Sequence, residues 1–246
     1  MLLAACQPEP AIKTTYVSYQ VNPQQQQLRL YWHNAQGQRF GSLGRLRQTL
    51  AAQGDSLVFA MNGGMFNPAF APQGLYIENE KTVTPLDTAT GQGNFYLKPN
   101  GVFYLATDHS AHIVPTAAYH HNGRVAYATQ SGPMLVMDGR IHPAFRAGST
   151  NVQIRNGVGI LPNGHVLLAM SKVKVSLYHF ADYFRSVGCR QALYLDGFVS
   201  RTYAPAVGWT QLDGDFGVII GITTPKSSPL RTGLSLPATR RRRLWP

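Results

Sequence analysis

An aspartate that ends an apolar strand is the strongest chemical candidate in this chain. Ala192-Leu193-Tyr194-Leu195 runs directly into Asp196-Gly197-Phe198-Val199-Ser200. A carboxylate there is poorly hydrated, which favours its neutral form, and the glycine after it opens space for a ligand. The alternative is an aspartate that only caps the turn after a strand. A second apolar run, Leu57 to Met61, ends in Asn62-Gly63-Gly64-Met65-Phe66. Paired glycines let backbone amides and a short amide side chain come close to a bound group. A tight turn between core strands would use the same residues. Arg155-Asn156-Gly157 precedes the apolar residues 158 to 161. An arginine there could grip a phosphate with two hydrogen bonds, or serve as a surface or salt-bridging residue.

The chain has only eleven acidic residues, so each can be weighed as a proton carrier. Glu78 closes Gly74-Leu75-Tyr76-Ile77-Glu78, a short strand soon after the Asn62 turn, whereas Asp182 falls on the polar side of an expected helix. The other eight besides Asp196 sit in polar or turn-like surroundings. No set of residues has metal-ligand spacing. If His120-His121 lies in a strand, its two rings face opposite sides. There is no Gly-Lys-Ser phosphate loop, no Gly-x-Ser-x-Gly elbow and no Gly-x-Gly-x-x-Gly, so nucleotide-dependent and serine-hydrolase chemistry lose their support. Two cysteines exclude a disulfide-rich scaffold, and Cys189 reads as a small core residue beside a strand.

The elements that would position these groups are legible from periodicity. Ser42 is placed to cap a helix carrying Leu43, Leu46 and Leu50 on one face, with Gly54 just past its end. A second helix is expected from Ser176 to Gly188, burying Leu177, Phe180, Ala181, Phe184 and Val187. Between residues 74 and 170 strand follows strand. Asn100-Gly101, Asn122-Gly123, Asp138-Gly139 and Asn163-Gly164 supply the positive backbone angles that hairpin turns require. The expected class is α+β, one domain with a many-stranded mixed, largely antiparallel sheet and two principal helices.

Residues 1–27 read as a lipobox-like start and polar tether, 28–224 as the folded domain and 225–246 as a basic tail expected to be disordered. The formal charge is +11, but six basic residues and no acid lie in that tail, which leaves +5 for residues 1–224. Basicity is largely a tail property, so no specific nucleic-acid partner is expected. No apolar run reaches the roughly 18 residues of a spanning helix. Leu3-Ala4-Ala5-Cys6 resembles the cleavage motif of bacterial lipoproteins. That motif would put a lipid on Cys6, the chain on a membrane, and the protein in the bacterial periplasm or cell envelope.

In order, Asn62-Gly63-Gly64-Met65-Phe66, Gln130-Ser131-Gly132-Pro133-Met134-Leu135, Arg155-Asn156-Gly157-Val158-Gly159 and Leu195-Asp196-Gly197 followed by Ser200 resemble the phosphodiester glycosidase family. The resemblance covers about residues 55 to 222 and departs from the family after the aspartate. Many members carry three glycines there, where this chain has Gly197-Phe198-Val199. The resemblance implies cleavage of a sugar-to-phosphate bond in a phosphorylated carbohydrate of envelope or exopolysaccharide glycans. It makes Asp196 the base, the nucleophile or a ligand of a divalent ion, with Glu78 as its carboxylate partner. Arg155 and the amides near Gly63 and Gly64 would hold phosphate oxygens, while Asn62 and Ser200 orient the sugar or water and Asn156 completes the substrate-binding set. No cofactor is implied beyond that divalent ion. The competing expectation is a lipid-anchored envelope protein that binds a glycan or phosphoglycan without turning it over.

Overall fold

The computed structural model describes residues 15–225. Cys6 and the expected tail from residue 226 onward lie outside them, as does most of the expected tether.

Strands dominate, and they divide into three sheets and one short ribbon. The first sheet has the order β1 (Tyr16–Val21), β13 (Val166–Ser171), β12 (Asn156–Ile160), β15 (Gln191–Asp196), β9 (Met134–Met137), β10 (Arg140–Ile141). The second runs β17 (Trp209–Thr210), β16 (Thr202–Ala204), β3 (Asp55–Asn62), β18 (Ile219–Pro225), β2 (Gln27–Tyr31). The third runs β5 (Lys81–Thr84), β4 (Tyr76–Glu78), β8 (Val125–Ser131), β6 (Gly101–Ala106), β7 (Ala111–Pro115). A ribbon of β11 (Val152–Gln153) and β14 (Val175–Ser176) stands beside the first sheet. Every pairing is antiparallel. The α+β class and single domain are as the sequence implied, with the strands shared among three sheets in place of one.

The inner faces of all three sheets enclose one core. Phe59 and Met61 of β3, Ile220 and Ile222 of β18, Leu193 and Leu195 of β15 and Phe103 of β6 meet there. Alternate residues of β15 and β3 pack outward against helices, so these strands are apolar on both faces. Ala192 and Tyr194 join helix α2 (Leu177–Ser186), while Leu57 and Ala60 join helix α1 (Leu43–Ala52). Ser42 caps α1 and Ser176 caps α2, each accepting a hydrogen bond from the amide three residues on. In α2 Tyr183 is buried and Val187 is not. Val187 is 41% exposed because the helix ends at Ser186 and leaves Val187 as its C-cap residue, outside the helical repeat that buries Phe180 and Phe184.

Two of the four expected turn pairs serve hairpins. Asp138-Gly139, both at positive φ, joins β9 to β10, and Gly164 lies in the β12–β13 turn. Asn100-Gly101 instead enters β6, and Asn122-Gly123 lies in the loop before β8. The β6–β7 hairpin turns at Asp108-His109, which carries no glycine signal. Residues 16–21, read as tether, form β1 and bury Val17 and Val21 against β13; the intervening polar residues mask the alternation.

Candidate functional site

The three sheets converge on Asp196. Asn156 of β12 pairs with Asp196 and Gly157 pairs with Tyr194, so Leu195 is an extra residue that bulges β15. Bulges re-aim side chains at strand ends. The Leu195 carbonyl accepts a hydrogen bond from Ser131 Oγ at 2.9 Å, which ties the end of β8 to the bulge. From the second sheet, Asn62, the last residue of β3, donates through Nδ2 to Asp196 Oδ2 at 3.1 Å. The Gly197 amide donates to Oδ1 at 2.7 Å.

The orientation of Asn62 is fixed by its other end. Asn62 Oδ1 accepts from Asn156 Nδ2 at 2.8 Å and from the Arg201 amide at 3.1 Å. With its oxygen committed to two donors, its NH2 group must face the carboxylate. Asn156 Nδ2 also donates to the Asn62 carbonyl at 2.7 Å, while the buried Asn156 Oδ1 accepts from no group among the described residues. Buried acceptors without donors are rare and call for a reason, of which a role at a functional site is one.

Burial pushes the Asp196 carboxyl up from its ordinary 3.8 to about 6, against the Gly197 amide and the Asn62 side chain, which pull it down. Desolvation prevails because two neutral donors stabilise the charge less than lost water destabilises it. A carboxylate with that affinity is mostly ionised at neutral pH yet takes up a proton readily, which suits a general base. The same donors bear on a divalent ion. Asn62 and Gly197 point N–H groups at both carboxylate oxygens, the neighbouring oxygen donors are amides, and among the described residues no three acidic, histidine or cysteine side chains gather. These residues do not fit a resident divalent ion, and no step is derived through one.

The remaining expected site residues fall into place differently. Arg155 is 1% exposed and faces inward. Its Nε donates to the Val175 carbonyl at 2.8 Å, Nη1 to the Tyr194 hydroxyl at 3.2 Å, and Nη2 to the Asn151 carbonyl at 2.9 Å. It supports the wall behind Asp196 and has no donor fork turned toward a phosphate. Ser200 is also internal: its amide and hydroxyl both donate to the Gly197 carbonyl, at 2.8 and 2.5 Å, closing the loop after Asp196. The Gly63 amide is taken by the Val218 carbonyl at 2.8 Å. A Cβ on Gly63 would lie 2.7 Å from Ile220, and one on Gly64 would lie 2.6 Å from the Thr129 hydroxyl, so close packing explains both glycines.

Glu78 does not accompany Asp196. Ile77 pairs with Ala128, which puts Glu78 level with Tyr127, four residues before Ser131 on β8. At the rise of a strand that is about 13 Å from the convergence point. Its carboxyl sits by the Trp32 amide and the Tyr76 hydroxyl, raised by burial. Glu78→Gln is therefore expected to leave turnover within about threefold of wild type in a steady-state assay; a loss of 100-fold or more would return it to the site.

Two contributors escaped the reading of the sequence. Tyr194, two residues before Asp196, links Arg155 to the loop, and a side chain at Gly197 would collide with its hydroxyl. Arg201 reaches Asn62 through its backbone, which no side-chain pattern can signal. Cys189 is a core thiol, pushed up to about 12 by burial, as expected of an inert residue.

The uncharacterized protein YigE of Escherichia coli (strain K12) is 39% identical over 198 residues, spanning 79% of this chain and 77% of that protein. Among solved structures, the catalytic domain of zebrafish N-acetylglucosamine-1-phosphodiester alpha-N-acetylglucosaminidase, auto-inhibited by its pro-peptide, superposes with a TM-score of 0.58 at 14% identity. That match covers 85% of this chain and 83% of the other. A hypothetical protein from Synechocystis superposes with a TM-score of 0.52 at 14% identity, over 85% of this chain and 59% of that one. These likenesses show a shared fold, and the sequence itself supplies the family. Residues 55–229, which carry Asn62, Asn156 and Asp196, match the profile described as phosphodiester glycosidase, and the chain belongs to that family.

Proposed function

We propose that this protein hydrolyses a sugar 1-phosphodiester carried by an envelope glycan, with Asp196 as the general base. The observation that carries this reading is a desolvated carboxylate, raised to about 6 and oriented by Asn62, in a chain of the phosphodiester glycosidase family. The envelope setting rests on Leu3-Ala4-Ala5-Cys6. Water adds to the anomeric carbon as Asp196 takes its proton. The bond from that carbon to the phosphate oxygen breaks, and the phosphate leaves with the electron pair as a phosphomonoester. Ordinary glycosidases generally need a second carboxyl to protonate a poor leaving group. Phosphate needs no such help, which agrees with the distance of Glu78. The Asn62–Asn156 pair beside Asp196 is neutral, so that an anionic substrate meets one negative charge from this cluster and no more.

The test is a screen of the protein against sugar 1-phosphodiesters, with added divalent cations and with chelator. Release of free sugar by wild type and not by an Asp196 variant supports the reading; silence across a broad panel overturns it in favour of glycan binding without turnover. A base must be ionised to act, so kcat/KM is expected to rise with pH through about 6 and level off above it. A profile flat from pH 5 to 8 would exclude Asp196 as the base.

A further inference from the structure

Phe198 is 82% exposed, the most exposed large apolar side chain among the described residues. Single exposed apolar residues are ordinary; its position sets this one apart. It lies two residues beyond Asp196 on a loop held at both ends. Gly197 abuts Tyr194 and donates its amide to the carboxylate, while Ser200 bonds back to the Gly197 carbonyl. Within the loop Val199 turns in against the apolar cluster beside α1, and Phe198 turns out. The loop has an inward place for an apolar side chain, and the valine holds it.

We propose that Phe198 is a substrate-binding residue, the platform on which a pyranose ring of the substrate stacks. This rests on the sugar-phosphodiester reading of the same site. A pyranose with equatorial hydroxyls presents a face of axial C–H bonds, and an aromatic ring of similar size covers that face without unpairing any hydroxyl. The aromatic quadrupole favours the slightly positive hydrogens of such a face. Rings with axial hydroxyls on the stacked face are disfavoured, so Phe198 selects among sugars as well as holding them.

The experiment separates binding from turnover. Methyl phosphodiesters of α-glucose 1-phosphate and of α-N-acetylglucosamine 1-phosphate are titrated by calorimetry into the full chain carrying Asp196→Asn, alone and with Phe198→Ala or Phe198→Trp. Phe198→Ala is expected to weaken binding about tenfold, the upper range for one aromatic stack, and Phe198→Trp to preserve it. Upfield shifts of sugar C–H proton signals should accompany binding with Phe198 or its Trp variant and vanish with Ala. Equal affinity with and without the ring, or no binding by Asp196→Asn, overturns the proposal. Whether wild type releases sugar is a separate readout. Ring-dependent binding without turnover leaves the platform standing and removes the hydrolase.

Discussion

Asp196→Asn is expected to lower turnover of a sugar 1-phosphodiester by about 100- to 10,000-fold, the range for loss of a positioned general base, while the protein remains folded. The substitution keeps the shape of the side chain, and its oxygen can still accept from the Gly197 amide, so the loop after β15 need not move. Its new NH2 group, however, faces Asn62 Nδ2, and Asn62 cannot turn over because its oxygen holds Asn156 and Arg201. That opposition of donors costs stability. Removing the desolvated charge of a half-buried carboxylate acts the other way and favours the folded state. The folded pKa is about 6 against 3.8 for the free group, so the folded state binds the proton more tightly than the unfolded one. Wild-type stability therefore falls as pH rises from 3.8 through 6, by about 3 kcal/mol at most, and stays lower above that window. Relative to wild type, the variant should gain stability as pH rises from 4 to 8, measurable by urea unfolding at the two ends. Near-wild-type turnover by a folded variant would remove Asp196 from the chemistry.

The parts of this site that were legible in the sequence share one property: they are local. An apolar strand ending in Asp-Gly or Asn-Gly-Gly announces a polar group held at a sheet end, and both Asp196 and Asn62 are there, 3.1 Å apart. Asn156 was reached through its place in the motif beside Arg155. The helices were legible because Ser42 and Ser176 are caps followed by apolar residues at helical spacing. What could not be read is which way a side chain goes once three sheets close on one another. Glu78 ends a strand much as Asp196 does, yet β4 pairs with β8 in a register that carries it away. Ser200 follows Asp196 by four residues, and the loop folds its hydroxyl back onto Gly197. Asn100-Gly101 has the composition of a hairpin turn, but Gly101 lies in β6, where Met134 and the Val114 carbonyl fill the space a Cβ would take and so call for a glycine. The outcomes at Glu78 and Gly101 depend on contacts between residues distant in the chain, while that at Ser200 is decided by how its own loop turns after Gly197.

Arg155 carries the other large effect, and it is an effect on folding. Arg155→Ala is expected to destabilise the protein by about 3–5 kcal/mol. The guanidinium reaches two buried acceptors, the Val175 carbonyl and the Tyr194 hydroxyl, and the half-buried Asn151 carbonyl, and the Arg155 amide donates to Ser171 Oγ at 3.0 Å. Truncation removes the guanidinium from the buried Val175 carbonyl and Tyr194 hydroxyl and opens a void behind β15, where the Tyr194 ring lies 5.5 Å from the guanidinium carbon. No carboxylate is paired with Arg155 among the described residues, so the loss is one of hydrogen bonds and packing. Arg155→Lys should recover little, since one ammonium cannot reach acceptors spread around a planar fork. A residue that grips the substrate phosphate and one that holds up the wall behind the base predict opposite pairs of results. The first would leave urea unfolding unchanged and reduce turnover at all temperatures. The second should shift the unfolding midpoint strongly, while turnover per folded molecule, assayed well below that midpoint, stays within about tenfold of wild type. A stable Arg155→Ala protein with turnover down 1000-fold would place the guanidinium on the substrate after all, and would require Tyr194 and the Asn151 loop to move aside when the phosphodiester binds.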